Sequence, residues 1–122
     1  MEDFDVSLKV KEFVCEKVGM PVSHCEPIQI IEYTEGQKYA EHQDDRYATA
    51  LIQLNKRYQG GETHFPNRCL KVETQTGNLI VWTNFNEDNS SDLMNRHEVT
   101  PVTSGVKYSA VLFVRDQPYE KE

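Results

Sequence analysis

The sequence predicts a mainly β protein, an antiparallel sandwich or jelly roll with one N-terminal amphipathic helix packed on the sheet. Three observations carry that reading. Only one segment has a helical hydrophobic period, short β-branched and aromatic runs succeed one another after Pro27, and turn residues separate those runs.

The helix comes first. Val6, Val10, Phe13, Val14 and Val18 recur at helical spacing with Lys9, Glu12, Glu16 and Lys17 between them, so one stripe is apolar and suited to covering a sheet. Asp5 is its expected N-cap, and Gly19 followed by Pro21 ends it. Strand-like runs are then expected at Ile28 to Tyr33, Tyr39 to His42, Tyr47 to Leu54, Thr63 to Phe65, Leu70 to Thr74, Leu79 to Trp82, His97 to Val102 and Val106 to Val114. Glu35-Gly36, Asp44-Asp45, Gly60-Gly61, Pro66-Asn67, Thr76-Gly77-Asn78 and Ser104-Gly105 supply the turn signals. The polar run from Asn84 to Asn95 is the longest expected loop and a candidate lid, with Glu87, Asp88 and Asp92 on its solvated face.

The chain has 122 residues, enough for one compact core, and no repeat or linker-like segment, so it is read as a single domain, 1–122. Thirteen basic against twenty acidic side chains give a formal charge of −7, which argues against affinity built on neutralising many phosphates. No apolar run approaches the roughly eighteen residues of a membrane span. The first ten residues lack the basic start and apolar run of a secretory signal. Cys15, Cys25 and Cys69 are odd in number, widely spaced and without a C-x-x-C pair, which points to a reducing cytoplasm rather than a disulfide framework.

His42 and Asp44 stand two apart in an extended segment, so both side chains point to one face of a strand and can reach one metal ion. A later imidazole, His97, completes two histidines and one carboxylate, the donor set of non-haem Fe(II) oxygenases. By itself H-x-D is a weak signal. A hairpin turning about Ser104 would set His97 opposite Val111 and leave Lys107 on the same face, about 13 Å away at roughly 3.3 Å per residue. A dicarboxylate chelating the metal at one end could then meet the lysine at the other in a charge-assisted hydrogen bond.

At these residues the sequence resembles the prolyl 4-hydroxylase branch of the 2-oxoglutarate- and Fe(II)-dependent dioxygenases. The matching stretches are Tyr33 to Asp44, Arg46 to Leu54, Gly60 to Pro66 (GGETHFP) and Arg96 to Arg115, in the family's order and with His97 and Lys107 ten apart. The resemblance implies a double-stranded β-helix and an oxygenase using Fe(II), 2-oxoglutarate and O₂, with ascorbate a candidate addition. It carries over His42, Asp44 and His97 as iron ligands and Lys107 as anchor of the far carboxylate of 2-oxoglutarate. It also implies Thr63 as a hydroxyl supporting that carboxylate and Tyr33 as a wall of the co-substrate pocket. Arg46, Phe113 and Arg115 fall where relatives meet a peptide, so the implied partner is a proline-containing peptide or protein. Three departures stand out. Gln53 occupies a position where many relatives have tyrosine, a single residue (Asp45) replaces the long loop after the first ligands, and the buttressing N-terminal elements of larger members are missing from this chain.

Other readings use the same residues. A nucleic-acid demethylase of the AlkB type shares H-x-D…H but anchors the co-substrate with arginine. A cupin-like metal protein favours H-x-H, which His42-Gln43-Asp44 is not, and a non-catalytic binding module could keep the fold alone. His64 alternates with Thr63 and is expected on the opposite face. His24 and Cys25 diverge as strand neighbours and make a poor zinc pair. Trp82 and Phe85 read as packing.

Overall fold

The structure, a computed structural model, describes residues 4–72 and 76–119, with only the backbone for residues 4 and 5. A helix, α1 (Phe4–Val18), precedes ten strands: β1 (Gln29–Tyr33), β2 (Tyr39–His42), β3 (Ala48–Gln53), β4 (Tyr58–Gly60), β5 (Thr63–Phe65), β6 (Leu70–Val72), β7 (Leu79–Thr83), β8 (His97–Val99), β9 (Val102–Gly105) and β10 (Lys107–Val114). They form one sheet in the order β1-β10-β3-β7, a second in the order β2-β8-β5-β6, and a ribbon of β4 with β9. The chain crosses between the two sheets at β1–β2, β2–β3, β6–β7 and β7–β8, and β10 returns between β1 and β3. This is the jelly-roll path expected from the sequence.

The expected runs are all present, with two adjustments. His97 to Val102 is two strands, because Pro101 has no N–H to give a ladder. Its second half pairs with β4, a strand the sequence reading lacked. Gly60-Gly61 therefore marks the passage from β4 to β5, which pair in different sheets. A Cβ on Gly60, which has φ of +75°, would sit 2.2 Å from the Pro101 carbonyl oxygen, so only glycine lets these backbones meet. The expected end of the fifth run, at Thr74, lies outside the described residues.

Gly19 takes φ of +73° and its N–H returns to the Cys15 carbonyl at 2.8 Å, closing α1 as expected. Asp5 falls inside the first turn rather than before it. The buried stripe is narrower than the periodicity suggests. Val14 and Cys15 pack on Ala48, Ala50, Leu112 and Val114, with Val10 and Val18 alongside, whereas Val6 and Phe13 stay 57% and 49% exposed. Burying Val14 and Leu112 contributes about 1.5–3 kcal/mol each. Alternation then decides the site. With Ala48 and Ala50 turned to the helix, Thr49 and Leu51 turn into the space between the sheets, as do Val111 and Phe113 on β10.

The hairpin about Ser104 does not form. β8 pairs with β2 and β5, and β10 pairs with β1 and β3. The Cα partner of His97 is His42, and that of Lys107 is Tyr33. Metal candidates and lysine thus sit on facing sheets. Among the described residues no helix is long and apolar enough to cross a membrane, which does not bear on strands.

Candidate metal centre

His42 ends β2, His97 opens β8 directly beside it, and Asp44 follows two residues after His42. One potential ligand atom from each lies within 4.8 Å of the others. His42 Nε2 is 3.2 Å from Asp44 Oδ1, and His97 Nε2 is 3.5 Å from Asp44 Oδ2. Each imidazole meets the backbone carbonyl two residues upstream: His42 Nδ1 with Ala40 O at 2.8 Å, and His97 Nδ1 with Asn95 O at 2.9 Å. A carbonyl only accepts, so each Nδ1 carries a proton and Nε2 is the atom turned to the common point, where a metal would displace the proton that His42 Nε2 shares with Asp44. Tyr39 stacks on His42 with ring centroids 4.0 Å apart, and Trp82 flanks His97 at 4.9 Å, so neither ring is free to swing.

The electrostatics suit a cation. Burial by itself pushes the Asp44 carboxyl up, but hydrogen bonds from His42 and Thr49 outweigh it and hold the group below the usual carboxylate range. Burial pushes His97 down and favours the neutral imidazole that ligates. At His42 burial acts downward too, yet the hydrogen bonds to Asp44 and the Ala40 carbonyl prevail and raise it. Two imidazole nitrogens and one carboxylate oxygen fit Fe(II) with positions left open.

Lys107 is 1% exposed. Its ammonium donates to the Gly61 carbonyl at 2.5 Å and stands 5.5 Å from the Tyr33 ring. Among the described residues no carboxylate pairs with it, and burial depresses it to about 8. Tyr33 and Thr63 line the same cavity as the three metal candidates, whose apolar walls include Leu51, Val99, Val111 and Phe113. Gln53 is not part of that lining. Its amide donates to the carbonyls of Asn55 and Tyr108 at 3.1 and 3.0 Å and accepts from Ser109, so it braces strands.

At the rim, Arg46 and Arg115 both donate to the buried carboxylate of Glu26, at 3.0 and 2.6 Å. Burial pushes Glu26 up, but these hydrogen bonds overcome it and keep the group ionised. The Arg46 guanidinium lies 4.5 Å over Phe113. The three residues linked to a peptide by resemblance are thus adjacent, and Glu26 is the organising group that sequence reasoning missed. His64 faces away from Thr63 and pairs with Glu98 at 2.6 Å. Trp82 packs, as expected, but against His97 itself. The segment expected as a lid is tied down: Asn86 N–H reaches Ser90 O at 2.8 Å, Asp92 N–H reaches Asn84 O at 2.9 Å, and the Asn95 amide reaches Thr83 O at 2.7 Å.

The model of the 2OG-Fe(II) oxygenase superfamily matches residues 28–115. A putative prolyl 4-hydroxylase of Acanthamoeba polyphaga mimivirus is 30% identical over 126 residues, covering 88% of this chain and 52% of the relative. Prolyl 4-hydroxylase 13 of Arabidopsis thaliana is 27% identical over 146 residues, covering 98% and 53%. The chain therefore spans about half the length of these relatives. Among solved structures, viral collagen prolyl hydroxylase of Paramecium Bursaria Chlorella virus-1 in its 2OG complex superposes with a TM-score of 0.79 at 25% identity, covering 94% of this chain and 75% of that one.

Proposed function

The chain belongs to the 2OG-Fe(II) oxygenase superfamily, and from that premise we propose that it hydroxylates prolyl residues of a peptide or protein. In that reaction one oxygen atom of O₂ enters the proline and the other enters succinate, as 2-oxoglutarate loses CO₂. The observation that carries the reading is a cavity with two histidine Nε2 atoms and a carboxylate at one end, and behind its Tyr33 wall a buried lysine that pairs with no carboxylate among the described residues.

His42, Asp44 and His97 would hold Fe(II), which supplies the O₂ chemistry when bound. The Ala40 and Asn95 carbonyls fix both imidazoles in the ligating tautomer. Lys107 receives the far carboxylate of 2-oxoglutarate, Thr63 adds a hydroxyl, and Tyr33 closes the side. Leu51, Val99 and Val111 keep water from the reacting end. Arg46, Phe113 and Arg115 form the edge that meets the peptide, and Glu26 holds the two arginines in place.

Only Asp45, with its side chain 87% exposed, separates Asp44 from Arg46. The groove is therefore shallow on that side, and short peptides should have a high KM unless a folded partner adds surface. Ascorbate as an accessory reductant and a cytoplasmic location complete the proposal, the latter supported by the odd number of cysteines and by Cys15 and Cys25, whose free thiols lie 3.3 Å apart. The test is incubation with Fe(II), 2-oxoglutarate and proline-containing peptides, read by mass spectrometry. One added oxygen on proline is expected. Turnover of a methylated oligonucleotide with none of any proline would transfer the assignment to the demethylase class.

A further inference from the structure

Resting on the metal reading above, we propose that Thr49 and Asn84 are positioning residues that decide which oxygen of Asp44 a metal can take. Asn84 is 0% exposed and Thr49 3%. The Asn84 amide has its orientation fixed by two partners with no choice of role. Trp82 Nε1–H can only donate, and does so to Oδ1 at 2.9 Å. The Arg46 carbonyl can only accept, and takes Nδ2–H at 3.0 Å. The second Nδ2–H then reaches Thr49 Oγ1 at 3.0 Å.

A hydroxyl that accepts there has one proton left to place, and it points at Asp44 Oδ2, 2.7 Å away. Donation thus runs in one direction, from Trp82 through Asn84 and Thr49 to a single carboxylate oxygen. Oδ2 is held by that hydroxyl, although it also stands 3.5 Å from His97 Nε2, whereas Oδ1 meets His42 Nε2 at 3.2 Å, a contact that a metal between the two would replace, so Oδ1 is the oxygen a metal can take. This matters because a carboxylate binding through both oxygens takes two coordination positions. Binding through one keeps open the three that a two-point co-substrate and O₂ together require. The relay is buried, so water does not compete with its hydrogen bonds.

The Asn84 side chain is also separable from the local fold. Its backbone N–H bonds Tyr47 O at 2.9 Å, and its carbonyl accepts from Asp92 N–H and Gln43 Nε2. The segment therefore keeps three anchors when the side chain changes.

The experiment uses Co(II) as an air-stable probe without co-substrate, titrated by calorimetry and followed by its visible absorption. Variants are Thr49→Val, which keeps volume and loses the hydroxyl, Thr49→Ser, Asn84→Leu and the Thr49→Val/Asn84→Leu pair, with circular dichroism as the fold control. Thr49→Val should bind Co(II) about 10–100-fold more weakly, the range for such outer partners, and its spectrum should change as the second oxygen enters. Thr49→Ser should restore both readouts. Asn84→Leu should weaken binding alone but add nothing on top of Thr49→Val, because it acts through that hydroxyl. Should Thr49→Val fail to fold, Thr49→Ala takes its place with the same expectation. A wild type that does not bind Co(II) overturns the metal reading itself. A binding wild type with Thr49→Val unchanged in affinity and spectrum overturns the relay, as does weaker binding with the wild-type spectrum. Additive effects in the pair remove Asn84 from it.

Discussion

The metal end of the cavity and the lysine end, where Lys107 lies behind the Tyr33 wall rather than in the lining, are built on opposite principles. At the metal end the ligand groups are already held in place: both Nδ1 atoms meet carbonyls, and Asp44 accepts from Thr49 and stands 3.2 and 3.5 Å from the two imidazoles. At the lysine end a buried ammonium has one backbone carbonyl and an aromatic face. The first end is pre-organised and gains a cation with little rearrangement. The second carries an unmet electrostatic demand, which a carboxylate would satisfy. Binding order follows from this contrast: the metal end is ready in the free protein, whereas the lysine end holds its charge at a cost until an anion arrives.

The largest expected effect separates the ends outright. His97→Ala should abolish Fe(II) or Co(II) binding by calorimetry while leaving the circular dichroism spectrum in place, and Lys107→Met should leave metal affinity within threefold of wild type. Metal affinity unchanged in His97→Ala would remove the pre-organised end from the comparison.

The next effect lies in the free protein's stability. Lys107 is depressed from 10.5 to about 8 by burial, so the unfolded chain holds this proton more tightly than the folded one. Below pH 8 the cost is fully present, and stability from this group rises as pH climbs from about 8 to 10.5. That depression corresponds to about 3 kcal/mol at 1.36 kcal/mol per unit. Lys107→Met should therefore unfold at higher denaturant than wild type at pH 7, with the gap narrowing by pH 10. A gap that does not move with pH would mean that the lysine is already satisfied.

The same substitution should weaken 2-oxoglutarate binding by about 1.5–3 kcal/mol, the worth of a hydrogen bond to a charged group. A gain in stability joined to a loss of affinity is the signature of a charge kept for a ligand. Equal affinity in wild type and variant would move the anchor to Arg46 or Arg115.

Much of this contrast was legible in the sequence, and the residues explain where legibility stopped. His42 and Asp44 could be placed on one face because strand alternation is local, and Gly19 could be read as the end of α1 because its conformation is its own. His97 could be proposed from its motif, but its position opposite His42 depends on β8 pairing with β2 across nearly half of the chain. The assumed hairpin about Ser104 failed for that reason: Gly105 packs against β4, where a Cβ would sit 2.4 Å from the Arg57 carbonyl oxygen. Val6 and Phe13 fit the helical period yet stay half exposed, since periodicity gives a direction and not the width of the partner. Thr49, Asn84 and Glu26 carried no signal. The links that join them into one arrangement run to partners 35, 38 or 89 residues away, and polar residues in isolation resemble any surface.

The smallest expected effect uses one substitution at both ends. Thr49 and Thr63 are each buried, at 3% and 2% exposure, and both line the cavity. Thr49 sits in the filled network, bonded on both sides. Thr63 lies two residues after Gly61, whose carbonyl holds the Lys107 ammonium, in the neighbourhood a far carboxylate would enter. Valine keeps the shape of threonine and deletes only the hydroxyl, so each variant reports the lost hydrogen bond rather than a cavity. Thr63→Val should leave metal affinity and the metal's absorption spectrum untouched and lower 2-oxoglutarate affinity by about 1 kcal/mol, one ordinary hydrogen bond. In Lys107→Met the loss from Thr63→Val should shrink, because the carboxylate that both groups hold is no longer drawn to that position. Calorimetry with 2-oxoglutarate on the metal-loaded single and double variants measures this directly. Should Thr63→Val disturb the metal and spare the co-substrate, the two ends would be one coupled network, and the division between a prepared end and a waiting end would fail.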